Sequence, residues 1–144
     1  MTVERMTEAH LSDVAALERE TFSEPWSREA LQFLLTDGAL GFVCVEDGRA
    51  VAYGGMVIAP FEGQVTNVAV RSDYRRRGLG RRLVEAMVAE ARRLGLEQIA
   101  LEVRVSNEAA IGLYEGLGFV RAGVRKRFYK DPTEDAYVML LSVE

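Results

Sequence analysis

The chain predicts a single α/β (α+β) domain over residues 1–144, a central mixed, mostly antiparallel sheet with helices on both faces in the order βααβββαβαββ. Three stretches carry that prediction. Residues 40–46 and 50–58 are apolar runs of strand character joined by Asp47-Gly48, a two-residue hairpin turn. Leu83, Met87, Ala91 and Leu94 recur at helical spacing. Residues 98–105 alternate, with Ile99, Leu101, Val103 and Val105 on one side and Glu102 and Arg104 on the other.

Taken in order, residues 3–6 suit a short first strand. Thr7 offers an N-cap for a helix reaching about Phe22, with Leu11, Val14, Ala15, Ala16 and Leu17 as its apolar stripe. Pro25 stops that helix, and Ser27 caps a second one running through Leu31, Leu34 and Leu35 to Gly38. Phe22 and Trp26, in the loop between them, serve either as core plugs or as walls of a substrate groove. After the hairpin, Phe61-Glu62-Gly63 leads into the third strand of an antiparallel meander, which ends at Val70. A long helix then runs from near Gly80 to Gly95. Ser106 and Asn107 open the helix at 108–117, closed by Gly118, and strands at 119–127 and 136–142 flank a polar hairpin.

Residue counts exclude several chemistries. The single Cys44 permits no internal disulfide and sits in a strand-like run where a small buried hydrophobe is expected. With His10 as the one histidine, zinc sites and Cys/His nucleophiles lack residues, so no metal is expected. The first ten residues carry no apolar signal stretch, and no run of about 18 apolar residues occurs, which predicts a soluble cytoplasmic protein without a membrane partner. Charge is concentrated. Residues 71–82 hold six arginines against one aspartate, a net +5, so the chain total of −4 leaves −9 for the rest. One cationic pocket on an acidic body differs from the broad basic face of a nucleic-acid binder, and no direct nucleic-acid contact is expected.

That cationic stretch follows the strand ending at Val70 and reads Arg75-Arg76-Arg77-Gly78-Leu79-Gly80-Arg81. Two glycines expose the loop backbone, the following helix adds its positive dipole end, and the guanidinium groups add full charges, which together suit a pyrophosphate. Two other phosphate loops fail on residue type. A Walker A loop needs lysine where Arg81 stands, and the third glycine of a dinucleotide fingerprint would fall on Leu83.

The pattern (Arg/Gln)-x-x-Gly-x-(Gly/Ala) between strand and helix resembles the acetyl-CoA loop of the GNAT acetyltransferase superfamily. The stretch LEVRVSNEAAIGLYEGLGFVRAG at 101–123 strengthens the resemblance. FSEPWS at 22–27, NVAV at 67–70, LEVR at 101–104 and EDAYVM at 134–139 narrow it to the RimI family, which acetylates the N-terminal alanine of the eighteenth small-subunit ribosomal protein. The resemblance implies the GNAT fold, acetyl-CoA as cosubstrate and a ribosomal protein N-terminus as acceptor. It implies that the backbone of Val68, Ala69 and Val70 binds the pantetheine arm, and that Arg76, Arg77, Gly78, Leu79, Gly80 and Arg81 bind the pyrophosphate. It makes Asn107 a further cofactor contact, Glu102 the proton acceptor and Tyr114 the proton donor. It also implies that the strand ending at Val70 splays from the one holding Glu102. The alternatives are a GNAT enzyme acting on other N-termini, lysines or small amines, and a non-catalytic acyl-CoA-binding module. Some of the acids such as Glu24, Glu134 and Asp135 are expected to border the acceptor groove.

Overall fold

In the computed structural model, which describes residues 1–144, seven strands form one sheet. They are β1 (Thr2–Arg5), β2 (Ala39–Glu46), β3 (Arg49–Ala59), β4 (Glu62–Val70), β5 (Gln98–Arg104), β6 (Val120–Tyr129) and β7 (Glu134–Ser142). Their spatial order is β1-β2-β3-β4-β5-β7-β6, and every neighbouring pair is antiparallel except β4 with β5. The helices are α1 (Leu11–Thr21), α2 (Arg28–Leu31), α3 (Leu79–Arg93) and α4 (Glu108–Gly116), in the chain order read from the sequence.

Local chemistry accounts for most boundaries. Asp47 and Gly48 both take positive φ, 51° and 76°, as a turn matched to the twist of β2 and β3 requires. Ser27 caps α2 by accepting from the Ala30 N–H at 3.1 Å. Several boundaries differ from expectation, three of them for reasons visible in local contacts or register. The first helix opens with a 3-10 turn at Glu8–His10, where the Thr7 N–H donates to His10 Nδ1 at 3.0 Å. The second helix is a single α turn followed by a 3-10 turn at Gln32–Leu35, because the N–H and the hydroxyl of Thr36 both donate to the Phe33 carbonyl and close the tighter ring. Strand β6 extends two residues beyond the predicted 127, through an irregular register, and so includes Phe128 and Tyr129.

The sheet buries apolar clusters on both faces. Val43, Tyr53 and Ala69, cross-strand partners on β2, β3 and β4, pack against Leu11, Val14 and Leu17 of α1 and Leu31 of α2. On the other face, Val84, Met87 and Ala91 of α3 join Ile111 and Tyr114 of α4 over Ile99, Leu101 and Val103 of β5. Helix α3 sits low because Gly54 has no side chain; a Cβ there would lie 2.2 Å from Met87 Cε. Helices therefore cover both faces, and α3 begins just beyond the C-terminal end of β4.

Candidate active site

Strands β4 and β5 pair only at Glu62↔Gln98, Gly63↔Ile99 and Gln64↔Ala100, and part beyond that point. Strand β4 stays bonded to β3 up to Val70, and the Arg71 N–H donates to the Val51 carbonyl at 2.8 Å. Strict alternation in an antiparallel ladder then turns Ala69 toward β3, and the N–H and C=O of Val68 and Val70 toward the opening. Arg75 confirms the direction, since its Nε donates to the Val70 carbonyl at 3.2 Å from outside the sheet. Of the three predicted backbone contacts, Val68 and Val70 face the opening. Ala69 does not, because its polar groups belong to the β3 ladder and its side chain is core.

Beyond Val70 a 3-10 turn at Ser72–Tyr74 leads into the arginine loop. Arg76 and Gly78 hold positive φ, 64° and 74°, and Gly78 is the left-handed N-cap residue of α3, without a side-chain cap. The helical ladder includes Arg82 N–H to Gly78 C=O at 3.1 Å, which leaves the amides of Leu79, Gly80 and Arg81 at the N-terminus without helical carbonyls. A Cβ at Gly78 would meet nothing within 4 Å, so the loop backbone is open there. Gly80 has a different role. It lies inside the first turn of α3, where a Cβ would stand 3.2 Å from Leu113 Cδ2 of α4. Arg71 pairs with Asp73 at 2.7 Å, Arg71 and Arg77 both stack on Tyr74 at 4.7 Å, and Arg81 pairs with Glu85 at 3.5 Å. Arg76 forms no ion pair within the chain and is the loop's uncommitted cation.

The parting of the strands joins the two faces in one cleft of about 800 Å³. Glu102 enters it from the side opposite Leu101 and Val103, while Tyr114 enters from the cluster beneath α3 and α4. The Glu102 side chain is 30% exposed and pairs with Arg125 of β6, Oε1 to Nε, at 3.3 Å. Tyr114 is 7% exposed, its ring edge against Phe119 at 5.6 Å, and its hydroxyl has no partner in the chain. Burial and the neighbouring Tyr129 push its pKa up to about 12. Asn107 is the N-cap of α4, its Oδ1 accepting from the Ala110 N–H at 3.2 Å, which leaves its side-chain amide N–H groups toward the cleft it lines. Phe22 and Trp26 wall the same cleft and also pack on the α1 cluster, so both expected roles coincide.

Comparison with known proteins agrees with this geometry. Residues 9–119 match the family model described as Acetyltransferase (GNAT) family. The chain belongs to the GNAT acetyltransferase family. Among its GNAT relatives is the [ribosomal protein bS18]-alanine N-acetyltransferase of Escherichia coli, 34% identical over 144 residues, 99% of this chain and 97% of that one. The crystal structure of the ribosomal-protein-S18-alanine N-acetyltransferase from Escherichia coli superposes with a TM-score of 0.91, covering 99% of this chain and 94% of that chain. The N-alpha-acetyltransferase RimI of Mycobacterium tuberculosis is 35% identical, over 96% of this chain and 90% of its own. The NatC complex bound to Gag peptide and CoA contains a chain 26% identical to this one, with a TM-score of 0.82, covering 99% of each.

In and behind this GNAT cleft, three groups have roles that the sequence did not suggest. Tyr129 lies at the far end of β6, which periodicity ended too early; burial first and Glu102 second push its pKa up to about 12. Arg104 stacks on Tyr129 at 4.5 Å and donates to the carbonyls of Lys130 and Pro132, each at 2.9 Å, which holds the β6–β7 hairpin at the cleft's edge. Glu18, fully buried in α1, accepts from Tyr53, Asn67 and the Trp26 N–H; helical spacing puts it on the apolar face with Leu11, Val14 and Ala15, and only its charge argued for the surface. Of the acids of which some were expected at the groove, one lies there. Glu24 lines it, together with Asp131. Glu134 instead accepts from Arg104 at 3.1 Å and the Ser106 N–H at 2.8 Å, and Asp135 accepts from the Arg127 N–H at 2.8 Å. Their carboxylates are engaged in shaping the hairpin.

Proposed function

We propose that the protein transfers the acetyl group of acetyl-CoA to the α-amine of an N-terminal alanine, with ribosomal protein bS18 as acceptor. The observation that carries the reading is the opening between β4 and β5, which presents Glu102 and Tyr114 to one cleft from opposite faces of the sheet. The cosubstrate fits the residues present: the backbone groups of Val68 and Val70 suit an amide-rich pantetheine arm. The amides of Leu79 to Arg81, the open backbone at Gly78 and the free Arg76 suit its pyrophosphate. Arg77 supports the loop from its place on Tyr74, and Asn107 adds a donor farther along the cleft.

Acetyl-CoA supplies the acetyl group as an activated thioester. Glu102 accepts the proton of the attacking amine and its ion pair with Arg125 orients the carboxylate. Tyr114, held protonated by its burial, donates a hydrogen bond to the sulfur as negative charge gathers there. Burial makes this phenol a weaker acid than the thiol of the leaving group, so complete proton transfer is uphill and the hydrogen bond is the main contribution of Tyr114. An α-amine of pKa about 8 is roughly 10% neutral at pH 7, against about 0.04% for lysine, which favours N-termini for a carboxylate base.

Mass spectrometry of an Ala-starting peptide carrying the bS18 N-terminal sequence, beside the same peptide with its N-terminus blocked and a free lysine, tests the reading. Acetylation of the free N-terminus alone is expected. Preference for the blocked lysine peptide or for small amines would assign a broader GNAT activity, and thioester binding without thiol release would assign a non-catalytic module.

A further inference from the structure

Behind the cleft, outside the chemistry above, lies the buried acid Glu18, with no exposed surface and no cation in contact. Its Oε2 accepts from the Trp26 backbone N–H at 2.8 Å; its Oε1 accepts from Asn67 Nδ2 at 2.8 Å and from the Tyr53 hydroxyl. The four residues belong to α1, the α1–α2 loop, β4 and β3. Two of them, Trp26 and Asn67, line the cleft, while Glu18 and Tyr53 stand behind it. Asn67 follows the extra residue, Thr66, where β4 shifts register against β3, just past the last β4–β5 pair at Gln64↔Ala100.

A carboxylate removed from water is strongly disfavoured unless its lone pairs are filled, so an apolar side chain would have suited this site if burial were the only demand. What a carboxylate adds is acceptance from several donors at once. Here it gathers a main-chain amide of an irregular loop and a side chain at the point where the sheet opens. We propose that Glu18 is a positioning residue that sets the width of the acceptor side of the cleft. It ties the loop bearing Phe22, Glu24 and Trp26 to β4 and thereby fixes how an acceptor chain presents its amine. The proposal rests on the acetyl-transfer reading.

Glu18→Gln tests it. A glutamine side chain presents one acceptor and one donor to three donors, so one tie is lost or reversed while volume is kept. With the Ala-starting peptide as acceptor, the KM for peptide is expected to rise about tenfold or more, while acetyl-CoA affinity by calorimetry changes less than about twofold. Should Glu18→Gln fail to fold, Tyr53→Phe removes one donor behind the wall at equal ring volume, with a smaller rise in peptide KM expected and the same indifference of acetyl-CoA. A folded variant with unchanged peptide KM, or one in which both substrates weaken in parallel, overturns the positioning role. Failure of the wild-type protein to acetylate any amine would instead remove the reading on which it rests.

Discussion

Replacing Tyr114 by phenylalanine separates chemistry from structure at this site more cleanly than any other change. The hydroxyl has no partner in the chain, so its removal strands no donor or acceptor, and the edge contact with Phe119 at 5.6 Å is kept. Unfolding temperature is therefore expected to hold or rise slightly. If the hydroxyl gives a hydrogen bond to developing charge on sulfur, its loss costs about 1.5–3 kcal/mol, or roughly 10- to 150-fold in turnover. Acetyl-CoA affinity should stay within about twofold. Thiol release under conditions where chemistry limits the rate, with calorimetry for the cosubstrate, measures both. A second readout follows from the pKa raised from 10 to about 12. A folded-state pKa above the unfolded one gives a stability contribution fully present below pH 10 and lost as pH rises through 12, on the order of a few kcal/mol for the buried ring. The phenylalanine variant should lack that share of alkaline destabilisation. Wild-type turnover, or an unfolding temperature lowered by several degrees, would refute the argument and make the hydroxyl structural.

Glu102→Gln should lower kcat/KM by about 10² to 10⁴ with stability nearly unchanged, because its ion pair with Arg125 is solvent-exposed; a loss under fivefold would remove the proton-acceptor role. Gly78→Val should weaken acetyl-CoA binding in calorimetry, since φ of 74° resists a branched side chain and the Cβ projects into the open loop. Gly80→Val should instead lower the unfolding temperature through its clash with Leu113, and the reverse pattern would undo the division of labour between the two glycines. Replacing Glu24 by Gln and Asp131 by Asn together should narrow the preference for acceptors with downstream arginines, measured as kcat/KM at low and high salt; an unaltered ratio would exclude both from acceptor recognition.

The fold was legible where local chemistry is decisive. The Asp47-Gly48 turn, the Ser27 cap, the apolar row on α3 and the alternation that separates Glu102 from Leu101 each depend on residues close in sequence. The candidate site was legible where it is local too, as with Gly78 before α3 and Asn107 before α4. What escaped the sequence depends on contacts distant in the chain. Glu18 looks like a surface residue until Tyr53 and Asn67, 35 and 49 positions away, are brought to it. Tyr129 enters the cleft only because Arg104 grips the hairpin beyond it. Of the acids named for the groove Glu24 lines it, whereas Glu134 is taken up by Arg104 and the Ser106 N–H at the end of β5 and Asp135 by the Arg127 N–H of the hairpin. Ala69 shows a subtler limit, since a motif names three consecutive residues while a ladder turns only alternate ones outward.

The short seam between β4 and β5 has a consequence for measurement. Past Gln64 and Ala100, each of these two strands is hydrogen-bonded along one edge only, so the amides of Val68 and Val70 have no carbonyl across the seam. Native-state hydrogen exchange should find them fast among otherwise slow neighbours such as Ala69, whose amide is held by β3. A molecule that lies along the seam and accepts from those amides must slow them in alternation, every second residue, while leaving the rest of β4 as it was. The exchange rates of two valines thus form an occupancy gauge built into the backbone, readable without any turnover at all.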